Sequence, residues 1–158
     1  MNGLLILSIV QVVFENDERA RVFSQARAKA QEMRKPLLNA GCGALKPIGG
    51  FPRAILESDV NLDVTPQDVP RFALGSIEDI PYPDKYFGAV FCCHALEHIE
   101  DLDAGLRELH RVGDYLYVIV PRAIWPNSWL LPAHRRVFAG DRVYEKIERG
   151  WRIGHHRT

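Results

Sequence analysis

The sequence predicts an open α/β fold, a doubly wound and mostly parallel sheet with helices on both faces. Three observations predict it. Short apolar runs of four to six residues recur between residues 37 and 120, segments with helical spacing or long connections separate them, and several runs end in glycine or an acid. At 158 residues, 47% of them hydrophobic and 25% charged, the chain has the size and composition of one domain.

Residues 15–35 contain no Pro or Gly and place Ala20, Phe23, Ala26, Ala30 and Met33 at three- and four-residue steps, an amphipathic helix that Pro36 ends. The more apolar stretch before it, residues 3–14, is too short to span a bilayer as a helix. It lacks a preceding basic residue and a small-residue cleavage site, so it is expected to pack on the domain as a strand or helix. The other expectation for this stretch is a membrane-touching segment, or a face for a second copy or a partner protein.

Residues 37–40 read as a buried strand opening into the glycines of GCG, and the Pro- and Gly-containing loop that follows leaves room only for a short helix near residues 53–56. Further strands are expected over 60–64, 72–75, 88–93 and 115–120. Between the last two, Leu96, Ile99, Leu102, Leu106, Leu109 and Val112 predict a helix that Gly113 and Asp114 break. Beyond Pro121 the reading is less regular. A packed segment holds Trp125 and Trp129, a helix is expected over 141–149, and a last strand over 151–153. The tryptophans, Trp151 included, read first as core and second as a stacking platform.

Charge is balanced at 20 basic and 20 acidic side chains, which removes the global basic charge of a protein that coats nucleic acid or an acidic membrane. The distribution is uneven, with 13 acids against six bases in 36–121 and eight bases against three acids in 122–158. The basic residues Arg135, Arg136, Arg142, Lys146, Arg149, Arg152 and Arg157 read as a solvated face, or as a contact for an anionic ligand. Cys42, Cys92 and Cys93 have the spacing of neither a disulfide framework nor paired zinc ligands, so a reducing cytoplasm is expected.

In open α/β sheets, ligands bind beyond the carboxyl ends of the strands, where strand order reverses. Four features of this sequence fall at such ends: Asn39-Ala40-Gly41-Cys42-Gly43, Asp63, Gly75-Ser76-Ile77-Glu78, and Cys93-His94. Asp63 stands about twenty residues after the glycines, where a carboxylate can accept hydrogen bonds from both hydroxyls of a ribose. A nucleoside would lie across all four. His94 and His98 are four apart with Glu97 between them, but the order is not HExxH and no third ligand is suggested, so no metal is expected. His94 and Glu97 remain candidates for a general base, against a plain role in capping the helix.

The pieces LNAGCG, VNLDV, IPYPDKYFGAV, CCHALEHI, LRELHRV and YLYVIVP stand in this order over residues 37–121. They resemble the class I S-adenosylmethionine-dependent methyltransferases, and within them the type 11 group. The resemblance implies a Rossmann-like core over 36–121, preceded by the apolar segment and helix of 1–35 and followed by a short basic extension, 122–158, that completes the same domain. It also implies S-adenosylmethionine as cofactor. Asn39, Ala40, Gly41, Cys42 and Gly43 would wrap its methionine part, Asp63 with Val64 would meet the ribose, Ser76 and Ile77 would flank the adenine, and Cys93 with His94 would floor the sulfonium. Several positions depart from the family pattern. Ala44 replaces a third glycine, Ser76 an aspartate, Phe87-Gly88 the usual Phe-Asp, and Gly113-Asp114 a longer turn.

The expected function is methyl transfer to an unidentified acceptor, a small molecule or glycan intermediate. The alternative is a non-catalytic or partner-dependent S-adenosylmethionine-binding module. A nicotinamide-dependent oxidoreductase fits poorly, because Ala44 and Pro47 stand where a pyrophosphate-binding helix would begin.

Overall fold

Strands buried on both faces of a parallel sheet must be apolar along their whole length. β1 (Leu37–Ala40) and β4 (Phe87–Cys93) meet that condition, being buried at every residue. Around them lie β2 (Val60–Asp63), β3 (Phe72–Leu74) and β5 (Gly113–Ile119). All four neighbouring pairs run parallel, in the order β3-β2-β1-β4-β5. The chain moves outward one way through β2 and β3, then returns to the other side of β1 for β4 and β5. This is the Rossmann-like α/β sheet expected, and its strand order reverses between β1 and β4. The computed structural model describes residues 3–43, 57–140, 142–148 and 150–153, with side chains from residue 17 onward. The short helix expected near 53–56 lies outside these residues, as do Ala44 and Pro47.

From Ala89 onward, alternate residues of β4 serve opposite faces, following the two-residue period of a strand. Ala89, Phe91 and Cys93 meet α1 (Gly3–Glu32), whose Val22, Phe23, Ala26 and Ala30 cover that side together with Leu37 and Ile119. Phe23 packs edge-on against Phe91 with ring centres 5.3 Å apart. Val90 and Cys92 meet α2 (Leu102–Val112) through Leu102, Leu109 and Val112, in a cluster that includes Leu38, Ala40 and Leu62.

Several expectations need correction. The apolar stretch 3–14 and the amphipathic segment form one helix, beginning at Gly3 rather than Glu15 and ending at Glu32 rather than Lys35. Among the described residues no helix is long and apolar enough to cross a membrane. α2 begins at Leu102, not Leu96, because the Asp101 side chain accepts the Ala104 N–H at 2.9 Å and caps the helix there. Leu96 and Ile99 still join the same core from the preceding turn, which is why they fit the helical spacing.

Gly113 does not open a turn. It caps α2 with extended backbone and is already the first residue of β5.

The segment after β5 holds the five-residue α3 (Pro126–Leu130) and a three-stranded antiparallel sheet of β6 (Arg136–Ala139), β7 (Arg142–Ile147) and β8 (Gly150–Ile153), in the order β6-β7-β8. The helix expected over 141–149 is therefore the strand β7; Asp141 and Arg149 lie outside the described residues. Trp129 packs edge-on against Tyr144 at 5.3 Å and Trp151 at 5.4 Å, and donates its indole N–H to the Ala123 carbonyl, so these aromatics hold the small sheet together.

Two residues lock connections to the parallel sheet. Gly88 faces the end of α1, where a Cβ would stand 2.9 Å from Met33 Cβ, 3.0 Å from Lys35 Cβ and 3.1 Å from Ala30 Cα. The Phe-Gly departure from the family's Phe-Asp thus lets this helix sit down on β4. Arg111 bridges from α2 to the Ile80–Asp84 turn, donating to the carbonyls of Ile80 and Tyr82 and to the carboxylates of Asp84 and Glu108. Glu108 in turn accepts the Ile80 N–H at 2.8 Å. The Arg111 guanidinium holds the Glu108 carboxyl below its ordinary value, against the opposing pull of burial.

Gly88→Ala is expected to destabilise the fold by about 1–3 kcal/mol through overpacking, and Gly88→Asp by more, because its carboxylate would be buried without a partner. Equilibrium denaturation measures both. Arg111→Met is expected to cost about 2 kcal/mol at neutral pH. Since the folded Glu108 value lies below the unfolded one, its share of that stability is complete above the unfolded value and is lost as pH falls through the folded one. The gap between wild type and Arg111→Met should therefore narrow below about pH 4 in acid titrations of stability.

Candidate functional site

Where strand order reverses between β1 and β4, a cleft of about 480 Å³ opens at the carboxyl ends of the strands. That volume lies within the usual range of small-ligand sites.

Its inner wall begins at the end of β1. Gly41 and Gly43 take left-handed backbone angles, φ +69° and +62°, which favour glycine. The N–H groups of Gly41 and Cys42 both donate to the Leu62 carbonyl, at 2.8 and 3.0 Å, folding the loop over the end of β2. A Cβ on Gly41 would come within 2.5 Å of Ala95 Cβ, so the loop can approach its neighbours this closely only with glycine there.

Asp63 ends β2 and faces the same cleft. One carboxylate oxygen accepts the Gly43 N–H and the other the Thr65 N–H, each at 2.9 Å. Both oxygens are thereby oriented while retaining lone pairs toward the opening. After β3, Gly75, Ser76, Ile77 and Glu78 line the facing wall. Ser76 Oγ accepts the Glu78 N–H at 3.1 Å, and Glu78 reaches across to accept the N–H of Asp101, tying this loop to the start of α2.

The far side is made by the turn that leaves β4. His94 is a non-glycine residue with φ +53°, held by its N–H to the Ile119 carbonyl at 2.9 Å. Its Nδ1 lies 3.5 Å from Glu97 Oε1, an ion-pair distance longer than a well-formed hydrogen bond. Burial opposes charge on the imidazole, but the contacts with Cys93 and Glu97 outweigh it and push the pKa up to about 10.

The expected site residues divide as follows. Gly41, Cys42, Gly43, Asp63, Val64, Ser76, Ile77, Cys93 and His94 line the cleft. Asn39, Ala40 and Glu97 do not. Ala40 is fully buried in the core. The Asn39 side chain donates to Asn61 Oδ1 at 2.9 Å, and Asn61 also accepts from Ser58 and donates to the Pro70 carbonyl, a buried polar rung across β1 and β2. Glu97 is completely buried beneath the turn.

The cleft also contains residues that the sequence reading did not assign to it, notably Arg19, His98 and Arg135. Arg19 is buried, and its Nε has no hydrogen-bond partner among the described residues. A signal for it exists: Arg19 stands four before Phe23, on the stripe continued by Ala26 and Ala30, where a charge is out of place. His98 and Arg135 come together through the fold of the tail, which local sequence does not encode.

Residues 38–114 match the type 11 methyltransferase family model, described as a methyltransferase domain. No curated protein matches the chain.

Proposed function

We propose, on the match of residues 38–114 to the type 11 methyltransferase family model, that this chain is a class I S-adenosylmethionine-dependent methyltransferase that binds S-adenosylmethionine in the cleft and transfers the methyl group to a small-molecule or glycan acceptor. The observation that carries the proposal is Asp63, presented at the end of β2 by two backbone N–H groups and set against a left-handed glycine loop. When bound, the cofactor supplies a methyl group already activated on sulfur.

The chain's own residues then have to bind, orient and exclude water. Asp63 has the free lone pairs to accept hydrogen bonds from the ribose hydroxyls. Gly41 and Gly43 allow close approach of the backbone, Ser76 and Ile77 provide a surface for the adenine, and Cys93 with His94 forms the floor. Arg19, buried with an unpartnered Nε among the described residues, suits the carboxylate of the methionine part. The three cysteines are buried and joined in no disulfide, which suits the cytoplasm as location.

A second reading, a binding module that works through a partner, is favoured by one observation. Of the two candidate general bases, Glu97 is completely buried and does not line the cleft, and His94 lines it but keeps its proton, its pKa being pushed up to about 10. An acceptor that arrives protonated would need its base from elsewhere. The readings separate on S-adenosylhomocysteine formation with a panel of acceptors: turnover favours the enzyme, and tight binding without turnover the module.

Calorimetric titration tests the cofactor site. Wild type is expected to bind S-adenosylmethionine and S-adenosylhomocysteine, and Asp63→Ala to weaken both by about 10- to 100-fold through loss of charge-assisted hydrogen bonds. A folded wild type that binds neither would overturn the proposal. Arg19→Met should weaken both ligands by about tenfold while leaving adenosine, which lacks the carboxylate, unchanged.

A further inference from the structure

Beneath the turn after β4, Glu97 carries a carboxylate that is fully buried, and neither oxygen has a hydrogen-bond partner among the described residues. A buried charge in that condition is costly unless something compensates it. Besides His94, whose Nδ1 lies 3.5 Å from Oε1 without forming a hydrogen bond, two further imidazoles approach it. His98 Nε2 lies 3.8 Å from Glu97 Oε1, and the His134 ring packs edge-on to that of His98 with centres 5.0 Å apart. One potential ligand atom from each of Glu97, His98 and His134 lies within 4.8 Å of the other two.

The hydrogen bonds settle which nitrogens are available. His98 Nδ1 is 3.0 Å from the Ala133 carbonyl, and His134 Nδ1 is 2.9 Å from the Ser128 carbonyl. A carbonyl can only accept, so each Nδ1 carries a proton and each neutral ring keeps its lone pair on Nε2. Orientation of a histidine by a backbone carbonyl through its other nitrogen is the usual support of a metal ligand.

The tail is fastened to the turn on both sides of His134. Ala133 supplies the carbonyl for His98, and the Arg135 N–H donates to the Glu97 carbonyl at 2.8 Å. The main chain itself therefore delivers His134 to the other two.

We propose that Glu97, His98 and His134 form a divalent transition-metal site of the zinc type. Two imidazoles and one carboxylate are donors of the intermediate hardness that zinc takes, and they differ from the all-oxygen set that magnesium prefers. With bonds of about 2.1 Å, donor atoms spread over up to 4.8 Å would draw together around a shared ion. The three donors leave a fourth position for water. The ion would neutralise Glu97 and pin the tail to the wall of the cofactor cleft, because His98 lines that cleft while His134 lines a second one, of about 530 Å³, on the tail side. The site does not depend on methyl transfer.

The experiment uses the full chain carrying His155→Ala and His156→Ala, which removes the adjacent histidines near its end. After treatment with a chelator and removal of the chelator, the protein is titrated with zinc chloride, with magnesium chloride as a parallel probe. Expected are uptake of one zinc per chain, a rise in Tm with zinc and none with magnesium, and visible absorption of tetrahedral type when cobalt replaces zinc. His98→Ala should weaken zinc uptake at least about tenfold and abolish the Tm rise. Its side chain is partly exposed, so the variant should still fold. His134→Gln should do the same. No stoichiometric uptake, or uptake unchanged in a folded His98→Ala, would overturn the site. Binding of S-adenosylmethionine is measured separately and stands or falls by Asp63.

Discussion

The constraint that organises this molecule is the complete burial of β4. A seven-residue strand with no exposed position, hydrogen-bonded to a neighbour along each edge, has only its two faces left to cover, and each must receive an apolar surface. α1 supplies one and α2 the other. Small side chains set how closely they come: Gly88 and Ala89 lie under α1, and Gly105 faces Ile99 from within α2. With the centre held in this way, the reversal of strand order falls at a defined place, and the loops that leave the strand ends there line the cleft.

The polar groups of the cleft are held by backbone more than by one another. Asp63 is aimed by two N–H groups, and the glycine loop by a carbonyl of the next strand. The buried rung of Asn39 and Asn61 sits beneath them at directly paired positions of β1 and β2. A slip of one residue would leave those side chains unpaired inside the sheet, so the rung defines the register that brings Gly43 to Asp63.

Much of this arrangement was legible in the sequence because it is local. Apolar runs marked the five parallel strands, and the spacing from Gly41 to Asp63 marked the strand ends that face one another. The start of α2 and the segment at β7 were misread for physical reasons. Leu96 and Ile99 enter the same core as α2 without being helical, and nothing in apolar spacing separates a helix from a turn that packs beside it. The segment at β7 carries charges and aromatics in an order that fits a helix as well as a strand. Its pairing with β6 and β8 decides the matter, and pairing is a long-range property. His134 was invisible for the same reason, since 36 residues separate it from His98 and only the path of the tail unites them. Asn39 reads as a ligand contact because it is a polar residue beside a glycine loop, and its buried partner Asn61 becomes known only from the pairing of β1 with β2.

The direct passage from α2 into β5 leaves the chain no slack between them. Gly113 ends the helix and begins the strand, and a Cβ there would stand 2.5 Å from Val90 Cγ2. Lengths on either side are therefore coupled. Adding one residue at this junction would turn Tyr117 and Ile119 from the α1 side toward the α2 side, and bring Leu116 to the face they left. A chain with a loop at this point could absorb such a change in the loop. Here the helix acts as a ruler for the strand, so changes of length in this stretch of the sequence would be tolerated only in pairs.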